Sequence, residues 1–80
     1  MNQAKIIKQL EEVFRDVFED STLIINEDSN HNSIPEWDSI KNIYLVIEIE
    51  QKFGIKFSAE EIQDWKNVGQ IIDNITKLNN

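Results

Sequence analysis

The pair Asp38-Ser39 joins a predicted helix start to a free hydroxyl, and this combination can hold an anion. Asp38 is suited to cap the helix, because its carboxylate accepts hydrogen bonds from N–H groups of the first turn. Ser39 then lies in that turn, near unpaired N–H groups and the positive end of the helix dipole. A phosphodiester attached to the hydroxyl would occupy a favourable anion site. Taken alone, the same pair is also typical of an ordinary helix start.

Other residue types that perform chemistry are scarce in this chain. There is no cysteine, and the single histidine, His31, falls in a polar stretch where we expect it to be solvated rather than a ligand or base. Adjacent glutamates at 11–12 and 60–61 diverge on a helix, so neither pair makes a general acid–base site. No set of nucleophile, base and orienting residue can be assembled, and we predict that the chain is not an enzyme.

A calcium loop is an alternative for the polar stretch. Asp28, Asn30 and Asn32 match the first three ligand positions of an EF-hand loop. The sixth position requires glycine and holds Ser33, while the twelfth requires glutamate and holds Ser39. A polar loop without a metal is therefore the favoured interpretation.

The composition indicates one acidic globular domain, residues 1–80. The 80 residues carry a formal net charge of −7 at pH 7, and 40% of them are hydrophobic. A chain of this length can build one core and not two. The negative charge disfavours nucleic acid and anionic membranes as partners and favours proteins with basic patches. Because no apolar run is long enough to span a bilayer and no signal peptide is evident, we expect a cytoplasmic monomer.

Apolar spacing predicts helices on both sides of a long loop. Stripes with steps of three and four indicate helices over residues 3–18, 39–53 and 67–78, the last capped by Asn67. Ser58 and Glu61 form a capping box that opens a short helix ending near Trp65. The periodicity fails over residues 19–38, where the apolar patch 23–25 is expected to pack under the helices.

The second helix is more apolar than one buried face requires. Gly54 is expected to end it in the left-handed conformation. The predicted buried stripe consists of Ile40, Ile43, Val46, Ile47 and Phe53. Tyr44, Leu45 and Ile49 widen that stripe, which suggests a surface reserved for a partner or ligand.

The chain resembles the acyl carrier protein family over essentially its whole length. The resemblance is carried by the modification motif, by the second helix and by the Phe-Gly-Ile that follows it, which here are Trp37-Asp38-Ser39-Ile40, then Ile43, Leu45, Val46 and Ile49, then Phe53-Gly54-Ile55. It implies an all-α four-helix bundle with three main helices, a short third helix and a long first loop.

The resemblance also implies a cofactor and partners. A phosphopantetheinyl transferase, using coenzyme A and Mg²⁺, would attach 4′-phosphopantetheine to Ser39, with Asp38 as the helix cap beside it. Acyl-loading and acyl-processing enzymes with basic docking patches would then contact the second and third helices, where the candidate residues are Ile40, Ile43, Tyr44, Ile47, Glu48, Gln51, Glu60, Glu61 and Asp64. An acyl chain between those helices would have as walls Ile43, Val46, Ile47 and Ile62.

Several positions depart from the pattern of housekeeping fatty-acid carriers. Glu36 and Trp37 stand where small residues are usual, and Lys41, Asn42 and Tyr44 make the start of the second helix less acidic. These departures favour a discrete carrier of a specialised pathway, such as polyketide, modified-lipid or polysaccharide assembly. An aminoacyl or peptidyl carrier is the nearest alternative, and a cofactor-free helical adaptor is a more distant one.

Overall fold

The computed structural model describes residues 3–63 and 65–78, and this part of the chain folds into four α-helices. Their bounds are α1 Gln3–Val17, α2 Ser39–Phe53, α3 Ala59–Gln63 and α4 Val68–Leu78. The all-α four-helix prediction is confirmed. The short α3 ends at Gln63, close to the predicted end near Trp65, and the Trp65 amide donates to the Ile62 carbonyl in a tighter turn (3.2 Å). None of the helices in these described ranges has the length and apolar character needed to cross a membrane.

Local capping explains where the helices begin and end. The Asp38 side chain accepts the Lys41 amide at the start of α2 (2.9 Å), and Gly54 ends that helix at φ 67° and ψ 37°. Because this left-handed conformation costs a side-chain-bearing residue energy, glycine is favoured there. The predicted capping box of α3 and the Asn67 cap of α4 are both present, as the bonds Ser58 N–Glu61 Oε1, Glu61 N–Ser58 Oγ and Gln70 N–Asn67 Oδ1 show.

The core lies between α1, α2 and α4 and is closed by residues of the loop. Its members are apolar and less than a tenth exposed, and they include Ile6, Leu10, Phe14, Ile34, Trp37, Leu45, Ile49, Trp65, Val68, Ile71 and Ile75. Burial of this apolar surface is the main force that holds the bundle together.

The predicted rotation of α2 is wrong. Leu45 and Ile49 are fully buried, whereas three of the five residues assigned to the buried stripe, Ile40, Ile43 and Ile47, are exposed. Asn42 lies on the same face as the buried pair, because the spacing from 42 to 45 to 49 follows the helical repeat. Its side chain accepts a hydrogen bond from the buried Trp37 indole (3.0 Å), which fixes the rotation of the helix.

The long loop is attached to the helices at several points. Ile25 is buried and its amide donates to the Glu11 carboxylate (3.1 Å), but Ile24 is 76% exposed, so the expected packing of the whole 23–25 patch is only partly correct. The backbone carbonyls of Ser29 and Glu27 accept the amides of Val68 and Gly69 at the start of α4 (3.0 and 2.9 Å). A Cβ at position 69 would lie 3.2 Å from the Glu27 carbonyl oxygen, so glycine permits this close approach.

Candidate functional site: the start of α2

Ser39 is the first residue of α2, and its side chain is exposed. Asp38 caps the helix through the Lys41 amide, and its own carbonyl accepts the Asn42 amide (2.9 Å). Within residues 3–63 and 65–78, we find no acceptor for the amides of Ser39 and Ile40. These two N–H groups therefore remain available, together with the positive end of the helix dipole, to an anion attached to the Ser39 oxygen.

The start of α4 shows that such open amides are not a general feature of this fold. Val68 and Gly69 occupy the corresponding first two positions of α4, and both amides are bonded to carbonyls of the loop. At the start of α3 the first helical residue is Ala59, which has no hydroxyl. In the described part of the chain, only α2 combines open amides with a first-turn hydroxyl.

Trp37 fixes the backbone that leads into Ser39. Its ring is 2% exposed and meets Phe14 of α1 edge to face (centroids 5.3 Å apart), and its indole N–H donates to Asn42 of α2. The Trp37 amide donates to the Ile34 carbonyl (3.0 Å). The residue two positions before the serine is thus bound to α1, to α2 and to the loop.

His31 is exposed but is not simply solvated. Its Nδ1 hydrogen-bonds the Trp37 carbonyl, and its ring lies over the Trp37 indole with centroids 4.9 Å apart and planes inclined by 36°. This contact could not be predicted, because nothing in the spacing of loop residues shows which of them folds back onto the start of α2. Asn42 was also missed as a site residue, although its place one turn after Asp38 could have indicated it.

An exposed apolar surface follows Ser39 along α2. It consists of four predicted partner residues, which are 61, 59, 53 and 47% exposed and which we call the exposed α2 face: Ile40, Ile43, Tyr44 and Ile47. The predicted acyl pocket is correspondingly incomplete. Of its four walls, Ile43 and Ile47 face solvent, and Val46 and Ile62 are only half-buried. The contact of α2 with the core uses Leu45 and Ile49 instead.

Glu48, another predicted partner residue, turns towards α1. It lines a groove of about 550 Å³ between α1 and α2, together with Gln51 and residues that include Asp16, Glu12 and Lys52. Burial raises the pKa of Glu48 to about 7, and a hydrogen bond with Asp16 and the Asp16 charge act in the same direction, against Lys52. Gln51 is exposed at the rim of the groove. The Glu48 side chain therefore interacts with Asp16 of α1 instead of pointing freely into solvent.

The acidic candidates on α3 differ in their availability. Glu60 is exposed, whereas Glu61 is bound in the capping box, where the Ser58 amide and then its hydroxyl lower the pKa of the carboxyl. Asp64 lies outside the described residues.

In the loop, the Asn26 and Asn30 side chains accept the amides of Asp28 and Asn32 (both 2.8 Å), so polar groups there stabilise turns. Residues 3–63 and 65–78 contain no group of three or more His, Cys, Asp or Glu side chains that could hold a metal ion.

Comparison with known proteins identifies the family. The family model described as the phosphopantetheine attachment site matches residues 8–75. The chain belongs to this family. It is 29% identical to the D-alanyl carrier protein of Streptococcus sanguinis, over 98% of this chain and 95% of that one. It is likewise 29% identical to the acyl carrier protein of Coprothermobacter proteolyticus, with 91% and 89% coverage. Its fold matches holo acyl carrier protein from Geobacter metallireducens at a TM-score of 0.83 and 33% identity, covering 90% and 83%.

The chain is therefore a carrier protein of the acyl carrier family, and its cofactor is covalent 4′-phosphopantetheine. The start of α2 suits this group, because open amides and a helix dipole can stabilise the phosphodiester beside an exposed hydroxyl. Once attached, the cofactor supplies a thiol, which this cysteine-free chain does not have.

Proposed function

We propose that this protein carries acyl groups as thioesters on a 4′-phosphopantetheine arm attached to the Ser39 oxygen, and that partner enzymes perform the chemistry. The observation that carries the proposal is the combination of an exposed hydroxyl with two open amides at the first turn of α2. The Asp38 cap leaves those amides unused, because it takes the amide of the third helical residue. Attachment at this point leaves the arm projecting from the surface, where several partners can reach its thiol.

A transfer experiment tests the attachment site. The protein is incubated with coenzyme A, Mg²⁺ and a broad-specificity phosphopantetheinyl transferase, and its intact mass is measured. We expect a gain of one phosphopantetheinyl group, which Ser39→Ala abolishes. The matched control is Ser58→Ala, which removes another exposed serine at a helix start and should leave the gain intact. Modification of Ser39→Ala, or no gain with several transferases, would refute the assignment.

We propose that the transferase and the loading enzymes dock on the exposed α2 face. This surface begins next to Ser39, and its four large apolar side chains are each about half exposed or more. Glu60 provides acidic surface on α3, and the net charge of −7 complements basic patches on partners. Glu48 is a poorer docking residue than its position on α2 suggests, because it faces Asp16. We propose that the protein acts as a monomer whose apolar face is covered transiently by these enzymes.

A charge placed in this surface tests the docking proposal. Ile43→Asp should lower the transferase kcat/KM for the carrier about tenfold, because an interface core excludes a bare carboxylate. Ile24→Asp is the matched control, since Ile24 is 76% exposed and belongs to the loop rather than to α2. Equal kcat/KM values for the two variants would show that the enzyme docks elsewhere.

For the cargo, we propose a small acyl group of a specialised pathway, and specifically an aminoacyl group. Two observations support this choice over a long acyl chain. The curated relatives include a D-alanyl carrier protein that aligns with 98% of this chain. In addition, Ile43 and Ile47 face solvent rather than an interior pocket, so the bundle offers little apolar shelter for a long chain. Loading of the holo protein by an amino-acid-adenylating enzyme, detected as an aminoacyl mass gain lost in hydroxylamine, would support this cargo.

A further inference from the structure

His31 has contacts that attachment of the cofactor to Ser39 does not by itself explain. It is the only histidine of the chain, it is exposed, and it belongs to the loop. Nevertheless its ring covers the Trp37 indole, and its Nδ1 hydrogen-bonds the Trp37 carbonyl. A carbonyl can only accept, so Nδ1 must carry the proton, whatever the state of the other ring nitrogen. This contact therefore fixes the tautomer of the neutral ring.

The bonded carbonyl lies immediately before the cap of α2. The chain proceeds from Trp37 to Asp38 and then to Ser39, and Asp38 binds the Lys41 amide through its side chain. Beyond the serine, Asn42 binds the Trp37 indole N–H. Ser39 therefore lies in the chain between Trp37, which binds both His31 and Asn42, and the Lys41 amide that Asp38 caps. Two loop residues thus bind the Trp37 backbone, His31 at its carbonyl and Ile34 at its amide.

We propose that His31 is a positioning residue for phosphopantetheine attachment, acting through the Trp37 carbonyl to hold Ser39 in the orientation that the transferase requires. The inference rests on the proposed attachment at Ser39. The ring of His31 has two separable parts in this role. Its face packs on the indole, while its Nδ1–H fixes the peptide that sets the direction of the entering chain.

Variants at position 31 separate these two parts. His31→Phe keeps an aromatic ring for the Trp37 indole but removes the N–H donor. His31→Asn removes the ring, but its side-chain amide can present an N–H close to where Nδ1 stood. Asn32→Phe is the matched control, because it adds a ring to a neighbouring exposed loop residue. Each variant is assayed with coenzyme A, Mg²⁺ and the transferase, and its thermal midpoint is measured.

We expect His31→Phe to lower kcat about fivefold, the rate equivalent of one ordinary hydrogen bond, with KM for the carrier unchanged. His31→Asn should restore kcat to within about twofold of the wild type. The control Asn32→Phe should have the kcat of the wild type. In ¹⁵N spectra, the sole histidine of the wild type should carry its proton on Nδ1 near pH 8. A purely structural residue would change the thermal midpoint without this recovery by asparagine.

Three results would overturn the inference. They are an unchanged kcat in His31→Phe, an equal loss in the phenylalanine and asparagine variants, and a neutral ring protonated on the other nitrogen. In each case the wild type still accepts the arm, so the proposed function stands. A wild-type protein that accepts no arm at Ser39 overturns both proposals together.

Discussion

Replacing Glu48 by glutamine should stabilise the protein clearly at alkaline pH and much less at acid pH. Glu48 on α2 and Asp16 on α1 share a hydrogen bond across the helix interface, which requires a proton between two carboxyl groups. Burial, followed by this hydrogen bond and the Asp16 charge, raises the pKa of Glu48 from 4.5 to about 7. The folded protein thus retains a proton that the unfolded chain releases at a lower pH.

Because the folded state holds this proton more tightly than the unfolded chain, the free energy of unfolding falls as the pH rises. Below pH 4.5 both states are protonated at Glu48, and the contact with Asp16 is fully stabilising. As the pH rises from 4.5 to about 7, the unfolded chain gains stability by ionising while the folded state stays protonated, so the free energy of unfolding decreases. Above pH 7, the loss is complete and two carboxylates face each other in the groove.

The size of the loss is limited by solvent. The difference between the two pKa values would correspond to about 3 kcal/mol if it were fully expressed. Glu48 is only half-buried, and water screens much of such an interaction, so we expect about 1 kcal/mol. Glutamine keeps the shape and the hydrogen bond to Asp16 without a proton to lose. Glu48→Gln should therefore gain about 1 kcal/mol at pH 8 and only a few tenths at pH 4.5.

Urea unfolding followed by circular dichroism at pH 4.5 and pH 8 measures this difference directly. The control is Glu36→Gln, which removes the same charge from an exposed loop position and so tests for a general effect of net charge. The reasoning fails if Glu48→Gln gives the same change at both pH values. It also fails if the control gains as much at pH 8 as Glu48→Gln does.

Three further predictions concern the caps and the cargo. Asp38→Ala should lower the free energy of unfolding by about 1 kcal/mol in urea titrations, because the Lys41 amide loses its acceptor, and Asp38→Asn should recover most of it. Gly54→Ala should lower the free energy of unfolding by about 1 kcal/mol through the left-handed conformation alone, since no atom outside the adjoining chain lies within 4 Å of the added Cβ. Gly54→Asn should lower it less, because asparagine adopts this conformation more readily. Holo protein carrying octanoyl or acetyl thioesters should melt within about 2 °C of each other, whereas burial of the extra methylenes, at about 0.8 kcal/mol each, would separate the midpoints by more than about 10 °C.

Much of the fold was predictable because helix ends are set by local chemistry. Asp38 and Gly54 define α2 through the conformations and hydrogen bonds of single residues, so its bounds agree with the prediction. The capping box of Ser58 and Glu61 places the start of α3 in the same way. The position of the exposed serine at the start of α2 needed nothing beyond such local signals.

The orientation of α2 could not be predicted, because the helix is apolar on most sides. Two stripes satisfy helical spacing equally well, one through Ile40, Ile43 and Ile47 and one through Leu45 and Ile49. The choice depends on tertiary contacts that spacing does not encode, above all the bond between the Trp37 indole and the Asn42 side chain.

The hydrogen bond between Glu48 and Asp16 could not be predicted from the sequence either, because it depends on how α1 and α2 are aligned along each other. The contact of His31 with Trp37 depends on a loop that folds back on itself. The placement of Ser39 at the start of α2 was therefore predictable, while the residues around it that contact Trp37 emerged only from the tertiary structure.

The carbonyls that the loop offers to α4 have a consequence for how the molecule can open. The carbonyls of Glu27 and Ser29 accept hydrogen bonds from the amides of Gly69 and Val68. Local unfolding of the loop therefore also removes the acceptors that cap α4. Local unfolding of the loop is thereby coupled to fraying of α4, and the two shared hydrogen bonds oppose both events. The two bonds therefore attach the longest connection between described helices to the last helix of the scaffold that carries the cofactor.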